Sequence, residues 1–313
     1  MTQFCRHNRL THACPICSRE QAAPAPPPRV RARRASSPAR PTRSRGLRVR
    51  QMSRGAEDGY ANGLLPGLRS SADAGRLADE LAWATGRLAA LATDPPGLYG
   101  EAAAETDSTA ALELAFLIAA LGPLEGNGGG ASSDPWAGIE EARRDPAALA
   151  TAPRGPRAAP EPARAHAAFR AWVERTGGVV EGFQGDATWA PARRFARLWE
   201  RLALPGLGRD ARYELLVLAG RLGLVELEES TLGVGGDDEV TRAAKRAFGI
   251  GDPLLLERRA RALVDAAAIP LAALDLALCS WERGARVRTG FTDDVMDIGA
   301  RERLSGALGL EDE

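Results

Sequence analysis

Large apolar residues recur every three or four positions over most of the chain beyond residue 70, and that spacing lets only helices bury them on a common face. Leu77, Leu81, Leu88 and Leu91 form one stripe over Ser70–Thr93, and Leu112, Phe116 and Leu121 form another over Asp107–Leu121. Further helices are predicted near 163–176, 191–203, 210–223, 238–248, 253–268, 270–283 and 297–308, with Pro253 and Pro270 as first-turn residues. Strands favour β-branched and aromatic residues, whereas aromatics are 5% of this chain and Ala, Leu and Arg dominate it. The expected fold class is all-α with almost no sheet. A glycine-rich surface loop is expected at Gly126–Asp134, followed by a short helix capped by Asp134 with Pro135 at its first position. Residues 145–162, rich in Pro and Ala, are predicted to loop out.

The first seventeen residues obey a different rule. Cys5-x-His7, then six residues, then Cys14-x-x-Cys17 is the pair-loop-pair spacing that a tetrahedral Zn²⁺ needs from a segment too short to build a core. Cys5, His7, Cys14 and Cys17 are the candidate ligands of a structural zinc knuckle, and His12 is an alternative to His7. From Gln21 to Arg54 the chain is Pro, Ala, Ser and Arg with no acid, a composition that cannot bury enough surface to fold. It is read as a disordered tether whose ten arginines can lie along a phosphate backbone. Residues 1–56 carry 13 Arg against one acid, Glu20, a balance of +12, so the remainder of this net-neutral chain carries −12. A basic arm on an acidic body points to an arm that attracts polyanions and a body that meets them only through local patches. No apolar leader or membrane-length run is visible, so a cytoplasmic protein without a membrane partner is expected.

Chemistry concentrates between Phe195 and Arg246. An amphipathic helix bearing Phe195, Leu198, Trp199 and Leu202 breaks at Leu204-Pro205-Gly206-Leu207-Gly208, and a glycine turn between two helices leaves backbone N–H groups free for a phosphate. Gly206 and Gly208, with Arg209 and Arg212 just beyond, are the candidate nucleic-acid contacts of this turn. Downstream, Gly235-Gly236-Asp237-Asp238-Glu239-Val240-Thr241-Arg242-Ala243-Ala244-Lys245-Arg246 starts a helix with three acids in its first turn. Asp237 and Asp238 are candidate catalytic carboxylates, and Arg242, Lys245 and Arg246 candidate phosphate contacts. The bland alternative is an acid-capped helix with a solvated basic face, Arg242 and Arg246 pairing with Asp238. His166 is expected on an exposed helix, Tyr213 and Trp199 as core aromatics or as the lining of a base pocket, and Cys279 as a core thiol.

The order of hairpin, Asp and Val-x-Arg helix resembles the helix-hairpin-helix DNA glycosylases of the endonuclease III type. That resemblance implies hairpin roles for Gly206 and Gly208 and a catalytic role for Asp237, three residues before Val240. Asp210 stands where lyase-active members carry their Schiff-base lysine, and the four clustered cysteines of their iron–sulfur site are absent. Phe195–Leu202, Leu204–Leu216, Asp237–Gly249 and Ala273–Trp281 together resemble the alpha-glutamyl/putrescinyl thymine pyrophosphorylase domains of the clade 3 type. That family is linked to thymine hypermodification, with relatives assigned as 5-hydroxymethyluracil DNA kinases. The resemblance spans roughly residues 60–290 and implies DNA as partner and a hydroxymethylated thymine or uracil base as substrate.

The chain is therefore expected to hold a zinc knuckle (1–20), a disordered linker (21–56), a helix-hairpin-helix DNA-glycosylase-like helical domain (57–290), and a C-terminal helix with an acidic tail (291–313). If it is an enzyme, the resemblance implies a DNA base-modifying transferase. Asp237 or Asp238 would then accept the proton of the hydroxymethyl group or hold Mg²⁺, with ATP as phosphoryl donor and without a Walker loop. Two alternatives stay open: a monofunctional DNA glycosylase without lyase activity, and a non-enzymatic DNA-binding zinc-knuckle adaptor.

Overall fold

Local signals set where each helix begins. In the computed structural model, which describes residues 55–125 and 134–310, the helices are α1 (Ser71–Thr93), α2 (Leu98–Ala104), α3 (Ser108–Leu121), α4 (Ala137–Arg144), α5 (Pro162–Thr176) and α6 (Val179–Gln184). They continue with α7 (Pro191–Arg201), α8 (Arg209–Arg221), α9 (Glu239–Phe248), α10 (Pro253–Ala267), α11 (Leu271–Arg283) and α12 (Ile298–Leu308). Short 3₁₀ turns occupy Pro146–Ala150 and Asp293–Val295. No strand occurs among the described residues, so the body is all-α. Aspartates open α3, α9, α10 and α12, where Asp107, Asp238, Asp252 and Asp297 each accept a hydrogen bond from a backbone N–H of the first turn. Proline stands at the first position of α5, α7 and α10, where its missing N–H costs nothing.

Packing follows the apolar stripes. The long α1 lies against α11 and α12, and α11 in turn carries α9 and α10. On the other side α3 gathers α2, α4, α5 and α6, while α8 packs on α3, α7 and α1 and so joins the two groups. Trp83, Tyr99, Phe116, Phe169, Phe183, Phe195, Tyr213 and Trp281 are fully buried between them.

Several boundaries depart from the sequence expectation. The short α2 and α6 escape the apolar pattern, because six or seven residues are too few to display a period. Pro270 caps α11 rather than entering its first turn, and α4 begins at Ala137, with Asp134 held in a preceding turn that accepts from Trp136 N–H. Residues 145–162 do not loop out. Gly155 N–H donates to Leu121 O and Ala159 N–H to Ala120 O, both at 2.8 Å, which pins the segment to the end of α3 and buries Leu149, Ala152, Arg157 and Ala159. Residues 291–310, set apart in sequence, pack into the same body through α12 and the buried Phe291. Gly55 is already tied to it by a hydrogen bond to Asp73. The candidate zinc ligands Cys5, His7, His12, Cys14 and Cys17, the rest of the chain up to Arg54, residues 126–133 and the last three residues lie outside the described part.

Candidate functional site

The turn between α7 and α8 requires its glycines for two reasons. Gly206 and Gly208 hold φ at +85° and +71°, a left-handed region that side chains disfavour. Their lack of a Cβ also lets the turn close on the chain entering α5: a Cβ on Gly206 would lie 2.8 Å from Glu161 O, and one on Gly208 2.7 Å from Pro160 Cδ. Glu161 N–H donates to Gly206 O at 3.2 Å, so one face of the turn is an internal packing surface.

Beyond the turn, α8 opens into the most polar part of the interior. Asp275, 2% exposed in the middle of α11, accepts from Arg157 at 2.5 Å on one carboxylate oxygen and from Arg209 on the other. Arg209 reaches further, donating to Leu232 O and pairing with Asp210 at 3.1 Å, and its Nε lies 3.8 Å from Asp238 Oδ1. Its guanidinium sits 4.9 Å above the Tyr213 ring. Burial works against the charge on Arg157, yet the carboxylates of Asp275 and Asp210 more than offset it and hold that guanidinium protonated well above its usual range. Burial likewise opposes the charge on Asp210, while Arg157 and Arg209 together keep its carboxyl below the usual carboxylate range. Arg157 Nε and Nη1 and the Tyr213 hydroxyl are buried without a hydrogen-bond partner. The cluster thus ties four parts of the chain, namely residues 155–160, α8, α9 and α11, to one charged centre.

The candidate residues divide around this centre. Asp238 is the cap of α9: its carboxylate accepts from Thr241 N–H at 2.9 Å and from the Thr241 hydroxyl at 2.7 Å. Asp237 is exposed beside it, and its backbone carbonyl accepts from Arg242. Arg209, read from sequence as a phosphate contact, spends its side chain on interior carboxylates. Arg212 lies 3.5 Å over the Trp199 ring and donates to Trp199 O, and burial followed by the nearby charge of Arg209 lowers its pKa to about 10. Arg242 and Arg246 turn to Glu282 of α11, at 3.8 and 3.2 Å, rather than to Asp238, and Arg246 also stacks 3.6 Å over Trp281. Lys245 is half-buried on the same helix. Glu239, the third acid of the α9 start, binds Arg283 at 2.5 Å and lies 3.6 Å from the thiol of Cys279, whose pKa burial pushes up to about 12.

Arg157 and Asp275 are the members of this centre that sequence reasoning misses. Asp275 has a signal, since an acid within Leu-Ala-Ala-Leu-Asp-Leu-Ala-Leu must be buried and therefore paired. Arg157 has none, lying in a proline-rich segment without a period.

A second concavity of about 470 Å³ lies between α3, α4 and α5, over Phe116 and Phe169, with His166, Glu113 and Arg170 at its edge. His166 is half-buried rather than exposed, and desolvation, followed by the charge of Arg170, lowers its pKa. Glu113 and Arg170 pair with each other at 3.2 Å. Among the described residues no group of three or more His, Cys, Asp or Glu side chains is gathered in a way that could hold a metal ion, and no single helix is long and apolar enough to cross a membrane. Comparison with protein-family models, with curated proteins and with solved structures finds no match for this chain.

Proposed function

We propose that this protein processes a base in DNA, a hydroxymethylated thymine or uracil in the first instance, and that Asp237 is the carboxylate that acts on it. The observation that carries the reading is the meeting of the α7–α8 turn with the start of α9. Arg209, the first residue after the glycine turn, lies 3.8 Å from Asp238, which caps α9, and this leaves Asp237 exposed on the lip of a charged centre. A fixed cap beside a solvent-facing acid suits a division of labour. Asp238 holds the start of α9 in place, and Asp237 is free to accept a proton from a substrate hydroxyl. In the phosphoryl-transfer form of the reaction the hydroxymethyl oxygen would bond to the terminal phosphorus of ATP, supplied as its Mg²⁺ complex, ADP would leave, and the hydroxyl proton would pass to Asp237. The basic arm and a zinc knuckle at Cys5, His7, Cys14 and Cys17 would raise the local concentration of DNA.

One observation favours a binding-only reading: the Asp238 carboxylate is fully occupied by Thr241, as in an ordinary helix cap. The two readings separate in one experiment, in which the full chain is incubated with 5-hydroxymethyluracil duplex, ATP and Mg²⁺ and the nucleosides are analysed by mass spectrometry. A phosphate-bearing nucleoside is expected, and Asp237→Ala should lower its formation by about 100-fold or more with DNA binding retained. An abasic product formed without ATP would replace the kinase with a glycosylase, and bound but unchanged DNA would leave an adaptor. Metal analysis of the same preparation should find one zinc per chain, absent from the Cys14→Ser/Cys17→Ser variant.

A further inference from the structure

We propose that the exposed face of α7 is a phosphate-backbone docking surface for DNA, built from Arg193, Arg197 and Arg201 with Trp189 as its support. The inference rests on the DNA reading above and adds a surface that involves neither the glycine turn nor α9. Arg193, Arg197 and Arg201 stand four residues apart and are all exposed, on the side of α7 turned away from the buried Phe195, with Arg194 and Leu198 buried along its flank. At a helical rise of 1.5 Å per residue the three guanidinium groups span about 12 Å, a length that covers two to three successive phosphates of one strand.

Three features separate this stripe from an ordinary solvated helix face. Arg193 and Arg201 are not ion-paired with any carboxylate among the described residues; only Arg197 is, with Glu200 at 3.1 Å, while Asp186 lies within electrostatic reach of Arg193 but outside pairing distance. Both unpaired guanidinium groups are instead held on the half-buried indole of Trp189, at 5.5 and 6.0 Å from its ring, which orders them without neutralising their charge. Finally, Arg193 and Arg194 stand in the first turn of α7, which contains no acid. Cations there oppose the helix dipole and cost the helix some stability, so helix formation does not account for Arg193. A first-turn cation whose partner is an aromatic ring rather than a carboxylate keeps its charge available to an anionic ligand.

The body as a whole is acidic, so a local patch is also what body–DNA contact requires. Ordered, unpaired guanidinium groups recognise phosphate in fork geometry, and each phosphate neutralised releases condensed counterions.

The test is the salt dependence of DNA binding by the full chain, read by fluorescence anisotropy of a labelled duplex. Arg193→Gln/Arg201→Gln is expected to weaken binding by about tenfold at 0.1 M salt and to lower the slope of log Kd against log salt by about 2, one for each phosphate that is no longer neutralised. Arg193→Lys/Arg201→Lys keeps the charges and should restore the slope, which a general loss of folding would not allow. Trp189→Leu should weaken binding with the slope retained, because it removes the support and not the charge. An unchanged affinity and slope in the double Gln variant overturns the α7 surface while leaving the DNA reading intact. Failure of the parent chain to bind DNA at all overturns both.

Discussion

Asp275→Ala is expected to lower the unfolding free energy by about 3–5 kcal/mol and the melting temperature by about 10 °C, because it strips two buried arginines of their shared counter-charge. Asp275 and Arg157 are 2% and 3% exposed, and Arg209 is held between Asp275, Asp210 and Leu232 O. Without the carboxylate, Arg157 retains the weaker influence of Asp210 and, behind it, of Cys279 and Glu214, and it already has two buried nitrogens without a partner. Removing one partner of such a cluster is far more costly than removing the cluster. Asp275→Leu combined with Arg157→Met should therefore recover part of the loss, since similar apolar volume avoids the stranded charge. Chemical denaturation of the three proteins checks this, and a loss below about 1 kcal/mol for Asp275→Ala would mean that water reaches the centre freely. The same variant should reduce base-processing activity beyond its effect on stability, because Arg209 links Asp275 to the cap of α9.

Gly86→Ala is expected to destabilise the body by about 3 kcal/mol, the opposite sign to the usual effect of filling a helical glycine. Gly86 lies inside α1 where the 3₁₀ turn Asp293–Val295 and the start of α12 rest on it. A Cβ there would stand 1.7 Å from Val295 O and 2.9 Å from Asp297 N, whose N–H donates to Ala82 O. The neighbouring atoms are backbone, so relief requires shifting the whole return of the chain onto α1. Gly75, in the same helix, meets nothing within 4 Å of such a Cβ, and Gly75→Ala should stabilise by about 0.5–1 kcal/mol. Thermal melts of the pair give the comparison directly: two substitutions of one kind in one helix, with opposite expected signs.

Helix identity and position are legible in the chain because they depend on local chemistry. The stripes at Leu77–Leu91 and Leu112–Leu121, the aspartate caps before α3, α9, α10 and α12, and the prolines opening α5, α7 and α10 act within one or two turns of themselves. The α7–α8 glycine turn is visible for the same reason. The partners of charged side chains are not. Arg242, one turn along, could reach Asp238 on its own helix, and only the packing of α9 on α11 brings Glu282 to Arg242 and to Arg246 a turn further on. Arg209 reads as a surface cation beside a turn, and only the approach of α11 places Asp275 against it.

By itself, then, the sequence determined an all-helical body, most of its helix boundaries and a turn followed by an acid-started helix, since propensity, capping and apolar period are written in neighbouring residues. Tertiary structure alone decided that residues 155–160 fold inward, that Arg157, Arg209 and Asp275 share one buried centre, and that Arg242 and Arg246 turn to Glu282. Those outcomes depend on which carboxylate and which backbone arrive from distant parts of the chain, and in a low-dielectric interior that arrival sets whether a charge is a structural tie or a free contact.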